Sequence, residues 1–184
     1  VVGDAGQEGA HGRLAAETGP ELARQGPKVA VVDINAAAAQ ALAQEIGGLA
    51  FACDITSTES VQQAMAGARE AHGPARILMN IAGIGGAKRV VGKDGSPMPL
   101  EDFKRVIDVN LVGTFNVIRL AAAEMVKLEP LEDGERGVIA CTASVAAYDG
   151  QVGQEAYAAS KGGLVSLTLP LARDLAQFGV RVCT

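Results

Sequence analysis

Short apolar runs alternate with stretches of helical periodicity along the whole chain. The runs KVAVVD (28–33), LAFAC (49–53), RILMN (76–80), GVIACT (137–142) and VRVC (180–183) predict strands. Helices are expected near 13–25, then over 36–46, 57–72, 100–128 (in one piece or two) and 155–177. Val1-Val2 reads as the stump of a first strand, followed by a Gly-rich turn. A second Gly-rich loop covers 92–99. Strict alternation of strand and helix means parallel βαβ units with right-handed crossovers. The strands are continuously apolar rather than alternating, as expected when helices cover both faces of a sheet. The expected fold is therefore α/β: one domain with a doubly wound, Rossmann-like parallel sheet.

Composition narrows the partners. A chain of 184 residues, 48% hydrophobic, can bury a sizeable core. Its net charge of −5 and lack of a basic run argue against nucleic acid as a partner. No membrane-spanning stretch and no secretory signal are expected from the pattern. Cys53, Cys141 and Cys183 are odd in number and widely spaced, which suits reduced thiols better than a disulfide framework. No paired Cys/His ligands suggest a metal site. The charged segment Glu129–Arg136 reads as a solvated loop.

Two groups of residues suggest chemistry. Gly3, Gly6, Gly9 and Gly12 lie between the strand stump and the first helix. Glycines there let backbone N–H groups approach a pyrophosphate at a helix N-terminus, although an ordinary turn has the same composition. Asp33 ends the second predicted strand, about 20 residues beyond this turn, where an acid accepts hydrogen bonds from an adenosine ribose. It would repel the extra phosphate of NADP, so NAD is the expected cofactor. The other reading makes Asp33 a cap for the helix at Ala36. Asp54 has a similar pair of readings, adenine contact or cap for the next helix. His11 is an unusual residue for a phosphate loop and reads as a surface residue or a dinucleotide neighbour.

Tyr157 and Lys161 are one helical turn apart, so their side chains share a face. A free tyrosine ionises near pH ~10, and a nearby ammonium favours the phenolate. Such a pair arises often by chance. Ser144 follows a predicted buried strand, where ligands meet an open α/β sheet, and its hydroxyl suits polarising a carbonyl. Asn110, in a helical stretch, reads either as packing or as the support of a water that relays protons to Lys161. Gln151 and Gln154 read equally as substrate neighbours or as loop structure.

The pieces NIAG (80–83), DVNLVGTFNVIRL (108–120), TASVAAYDGQVGQEAYAASKGG (142–163) and LTLPLARDLAQFGVRV (167–182) resemble the short-chain dehydrogenase/reductase family. Within it the run from Ala143 to Val182 is most similar to the branch holding 3-hydroxyacyl-CoA and 17β-hydroxysteroid dehydrogenases. The resemblance covers nearly the whole chain and is most specific after residue 76. It implies a catalytic set of Asn110, Ser144, Tyr157 and Lys161. It also implies NAD contacts at Gly6, Gly9, His11, Gly12, Asp33, Asp54, Ile55, Asn80, Ile81, Ala82 and Gly83, together with Tyr157 and Lys161. Ser144, Gln151, Gln154 and Tyr157 would face the substrate.

The implied reaction is reversible hydride transfer between NAD and a secondary alcohol or ketone, with a 3-hydroxyacyl-CoA or steroid-like substrate. The family also implies a homotetramer built on the two long helices, in the cytoplasm, or in mitochondria for an animal protein. Three features depart from its pattern. Ala5 and Ala10 stand where the glycine loop has Thr and its middle Gly. Thr18-Gly19-Pro20 looks like an insertion in the first helix, where proline removes a hydrogen bond and kinks it. The family's pattern continues past the position of Thr184 into a Pro-Gly segment, a substrate loop and a further strand, so the domain is expected to be truncated at both ends. Two rival functions are an NADPH-dependent 3-oxoacyl-carrier-protein reductase and a non-catalytic nucleotide-binding or assembly module.

Overall fold

A computed structural model describes residues 10–184, with side chains from residue 13 onward. Val1-Val2, Gly6 and Gly9 lie outside the described residues. The elements follow the predicted order. They are α1 (Ala10–Arg24), β1 (Ala30–Asp33), α2 (Ala36–Ile46), β2 (Leu49–Ala52), α3 (Thr58–His72) and β3 (Ile77–Asn80). Next come α4 (Leu100–Ile107), a π-helical turn (Asp108–Gly113), α5 (Thr114–Met125) and β4 (Gly137–Cys141). A 3₁₀ turn (Val145–Ala147), α6 (Glu155–Ala176) and β5 (Val180–Cys183) complete the chain.

Three differences from the sequence reading have local causes. The first helix begins at Ala10, not near residue 13, so the backbone of His11 and Gly12 is already helical. It continues through Pro20, and α6 likewise continues through Pro170. The long segment at 100–128 is one helical path in which the π turn joins α4 to α5. Its 26 residues Leu100–Met125 are long and apolar enough to cross a membrane by length and composition, which the sequence reading did not expect. In the fold, Val106, Val117, Ile118 and Met125 of that path are buried within the protein.

Among the described residues the named strands all pair in parallel. β1 pairs with β2 (Val31↔Ala50), β3 with β4 (Leu78↔Ile139), and β4 with β5 (Ile139↔Val182). Among the described residues these form a two-stranded and a three-stranded ladder. The larger apolar cluster centres on Ile139, Val180, Ile118 and Met125, and joins β3–β5 to α3 and α5. The smaller joins Val29 and Val31 to Ala39, Leu42 and Ala43 of α2. Asn35 caps α2 by accepting from Ala38 N at 3.1 Å, and Gly47 ends that helix with φ of 65°. The charged 129–136 loop is held at its base, where Arg136 donates to the Leu128 and Phe178 carbonyls.

Gly137, at the start of β4, packs where no side chain fits. A methyl there would stand 2.8 Å from Met125 Sδ and 2.9 Å from the Arg76 carbonyl oxygen. Backbone cannot yield as a flexible side chain can. Gly137→Ala should destabilise the fold by about 1–3 kcal/mol, as overpacking does. Urea unfolding measures this, and an unchanged midpoint would contradict the packing described.

Candidate active site

The sequence places its polar residues where the apolar strands end. Asp33 and Asn80 are the last residues of β1 and β3, and Asp54 and Thr142 lie just past β2 and β4. In a parallel sheet these carboxyl ends face one edge, where open α/β sheets take ligands.

Lys161 is 1% exposed, and no other described side chain so fully buried is larger. Its Nζ donates to the Thr142 carbonyl at 2.7 Å. Thr142 is itself fixed, because its N–H donates to the Asn80 carbonyl at 3.0 Å. The Lys161 ammonium lies 5.7 Å from the centre of the Tyr157 ring, on the face the spacing predicted. Ser144 lies in the connection between β4 and α6 and starts the 3₁₀ turn, its hydroxyl accepting from Ala146 N at 3.1 Å. That turn packs on α6, the helix carrying Tyr157 and Lys161.

Asn110 is fully buried in the π turn. Its Oδ1 accepts from Ile84 N at 2.8 Å and its Nδ2 donates to Ile84 O at 2.9 Å. It thereby holds the loop that leaves β3. π turns often mark functional sites.

A pocket of about 250 Å³ gathers Asp33, Asp54, Ile55, Ala82 and Gly83. These come from three separate stretches of chain, and all were singled out from sequence as dinucleotide contacts. The capping readings are removed for both acids. Asn35 caps α2 and Ser57 caps α3. Asp33 Oδ1 instead accepts from Asn35 N at 2.7 Å, and Asp54 Oδ1 accepts from Thr56 N and Oγ1. Ile81 is buried beside this pocket's Ala82. Asn80 is 5% exposed, with Nδ2 donating to the Ala140 carbonyl, and its Oδ1 has no hydrogen-bond partner among the described residues. Gln154 Oε1 accepts from Gln151 N at 2.9 Å, so that side chain closes the loop before α6. Gly6 and Gly9 are not described, nor are side-chain positions for His11 and Gly12.

Two residues that the sequence reading missed support the site. Asn116 Nδ2 donates to the Ile55 carbonyl at 2.8 Å and steadies the pocket wall. Ser160 lies between Asn110 and Tyr157 O. A signal existed for Asn116: it is a polar residue between the apolar positions of α5. Ser160 gave none, because a serine beside a lysine is unremarkable.

Comparison with known proteins gives the class. The short chain dehydrogenase family model matches residues 8–184. The human 3-hydroxyacyl-CoA dehydrogenase type-2 is 50% identical over 174 residues, which cover 93% of this chain and 67% of that protein. The crystal structure of 3-hydroxyacyl-CoA dehydrogenase type-2 from Mycobacterium avium superposes with a TM-score of 0.85 at 41% identity, over 93% of this chain and 67% of that one. An NAD⁺-bound xylitol dehydrogenase superposes with a TM-score of 0.79 at 32% identity, over 93% and 64%. The chain belongs to the short-chain dehydrogenase family and is an oxidoreductase with a Rossmann-like fold. It spans about two thirds of the length of these relatives.

The donor set fits a nicotinamide dinucleotide. Asp33 and Asp54 offer acceptors at the pocket, suited to hydroxyls. An ammonium has three N–H donors, and Thr142 takes one of those on Lys161. Among the described residues no cluster of three metal-ligating side chains occurs.

Burial pushes the Lys161 ammonium down from the usual 10.5 to about 8, and the nearby Cys141 thiol only partly opposes this. Burial pushes that thiol up to about 11. Above pH 8 the folded chain has released the Lys161 proton while the unfolded chain still holds it. Stability from this group therefore rises with pH from about 8 towards 10.5, and is lost as pH falls through 8. Below pH 9 the cysteine contributes little of its opposite trend. Between pH 7.5 and 9 the unliganded chain should gain about 1 kcal/mol relative to Lys161→Met. Parallel unfolding curves at the two pH values, with no change in the difference, would count against a buried ammonium.

Proposed function

We propose that the chain catalyses reversible hydride transfer between NAD and a secondary alcohol or ketone, with a 3-hydroxyacyl-CoA-type or steroid-like substrate. The observation that carries this reading is the Lys161 ammonium, buried at the end of β4 and facing Tyr157. The bound dinucleotide supplies the acceptor or donor of the hydride. The protein supplies positioning and proton transfer.

In the oxidation direction Tyr157 Oη takes the proton of the substrate hydroxyl. The Lys161 ammonium stabilises the phenolate form that does so, and its remaining N–H groups hold the nicotinamide ribose. Ser144 Oγ donates to the substrate oxygen as it becomes a carbonyl oxygen. Asn110 supports the water through which protons pass to Lys161. Asp33 and Asp54 hold the adenosine end, and the Asp33 carboxylate disfavours a 2′-phosphate there. The names of the human and Mycobacterium avium relatives support the acyl-CoA substrate. The NAD⁺-bound xylitol dehydrogenase supports the cofactor.

Tyr157→Phe should lower turnover of acetoacetyl-CoA by at least ~1000-fold, since it removes the group that exchanges the proton. NADH binding, followed by fluorescence titration, should stay within about twofold. Undiminished turnover would end the assignment of Tyr157. The unmutated protein should use NADH in preference to NADPH, and the reverse preference would favour the carrier-protein reductase reading. Binding of NADH without turnover would favour a non-catalytic nucleotide-binding module.

Copies of the chain associate through α4–α5 and α6 in this reading, as a tetramer. Val112 and Phe115 on the first path and Leu169 on the second support it, being 52%, 41% and 55% exposed. Sedimentation velocity at micromolar concentration should give a species of about four chains; a monomer there removes this part of the proposal.

A further inference from the structure

We propose that Ser160 is a positioning residue for hydride transfer: its hydroxyl fixes Asn110 between the loop leaving β3 and the helix that bears Tyr157 and Lys161. The proposal rests on the reading that Tyr157 and Lys161 carry the chemistry.

Ser160 is 0% exposed. Its Oγ accepts from Asn110 Nδ2 at 3.1 Å and donates to the Tyr157 carbonyl at 2.8 Å. The other contacts of the Asn110 amide all go to Ile84, whose N–H it accepts and whose carbonyl it donates to. A continuous hydrogen-bonded chain therefore runs from Ile84 through Asn110 and Ser160 to Tyr157. It joins three segments that are distant in sequence: the end of β3, the π turn and α6.

The geometry leaves Asn110 one orientation. Its oxygen must face Ile84 N, and each of its two N–H groups has a partner, Ile84 O or Ser160 Oγ. Without the serine hydroxyl, one N–H would be left unmade in a site sealed from water. A buried donor without an acceptor is strongly unfavourable, so the amide would turn or the π turn would shift. Either movement displaces the group proposed to order the proton-relay water. A hydroxyl is the suitable group because it both accepts and donates through one atom. Alanine does neither. Ser160 touches no reacting atom in this scheme and acts through Asn110.

The test uses the whole chain with NADH and acetoacetyl-CoA, comparing Ser160→Ala, Asn110→Ala and the double variant. Ser160→Ala should lower kcat about tenfold, with the Kd for NADH within about twofold of the parent. In the Asn110→Ala background the same change should lower kcat by less than about twofold, because the partner it positions is gone. A serine needed only for packing would lower the melting temperature and leave the kcat of the folded fraction intact. Ser160→Ala with parental kcat, or an undiminished tenfold loss in the double variant, overturns the proposal. Should Ser160→Ala not fold, Ser160→Cys keeps the volume with weaker hydrogen bonds, and parental kcat in that variant overturns it equally. Loss of kcat in Ser160→Cys supports it. If Tyr157→Phe is inactive while Ser160→Ala is fully active, only the Ser160 proposal fails. A parent chain without turnover, or an active Tyr157→Phe, overturns both.

Discussion

The β3–β4 end of the sheet's carboxyl edge is arranged around one buried ammonium, that of Lys161. A cation removed from water is costly unless it is paired or can lose its charge. Among the described residues Lys161 is held by one backbone carbonyl, that of Thr142, and no carboxylate pairs with it. The fold thus maintains a cation poised to give up its proton near neutral pH. It can do so because the surrounding elements are tied to one another. Thr142 is tied to Asn80 across the β3–β4 edge, and the π turn and the 3₁₀ turn both pack on α6. The lysine's position therefore depends together on α6, the β3–β4 edge and the two turns packed on that helix.

The second group of residues, Asp33, Asp54, Ile55, Ala82 and Gly83, meets in a pocket at the ends of β1–β3. The two regions are joined by Asn110 and its contacts with Ile84, which also lines that pocket. One buried amide thus links the wall of the proposed adenosine pocket to the helix of the proposed catalytic pair. This connection gives the site mechanical unity without a disulfide or a metal cluster among the described residues.

Much of the fold was legible because helix and strand periodicities were unmistakable and strictly alternating. α2 and β5 matched their predicted bounds, since Asn35 and Gly47 punctuate the former and Gly179 precedes the latter. Other ends moved by one to three residues; at β1, for example, the buried Val29 accepts from Leu49 N but has no register partner of its own. The π turn was not legible: it depends on how Gly113 approaches Ile55 and how Asn110 reaches Ile84, both tertiary facts. In the site, helical spacing put Tyr157 and Lys161 on one face, but it was the family resemblance and the neighbouring Ser144, Asn110 and Asp33 that singled the pair out. The readings of Asp33 and Asp54 stayed divided until Asn35 and Ser57 were seen to cap the neighbouring helices. Ser160 could not be read at all, because its importance lies in partners 50 residues away.

The π turn has a consequence for how this helix tolerates change in length. A π turn holds one residue more than the α-helical turn it replaces, and each α-helical residue rotates the chain by about 100°. Deleting one residue between 108 and 113 would let the path Leu100–Met125 relax into a regular α-helix. The segments before and after the deletion would keep their relative facing, because the under-wound π turn carries its extra residue within a single turn. α4 and α5 would both keep their buried faces on the core, and the loss would be local: the widened turn from which Asn110 meets Ile84 would be gone. A deletion inside α4 or α5, where no π turn absorbs it, would instead rotate one half of the path by about 100° against the other.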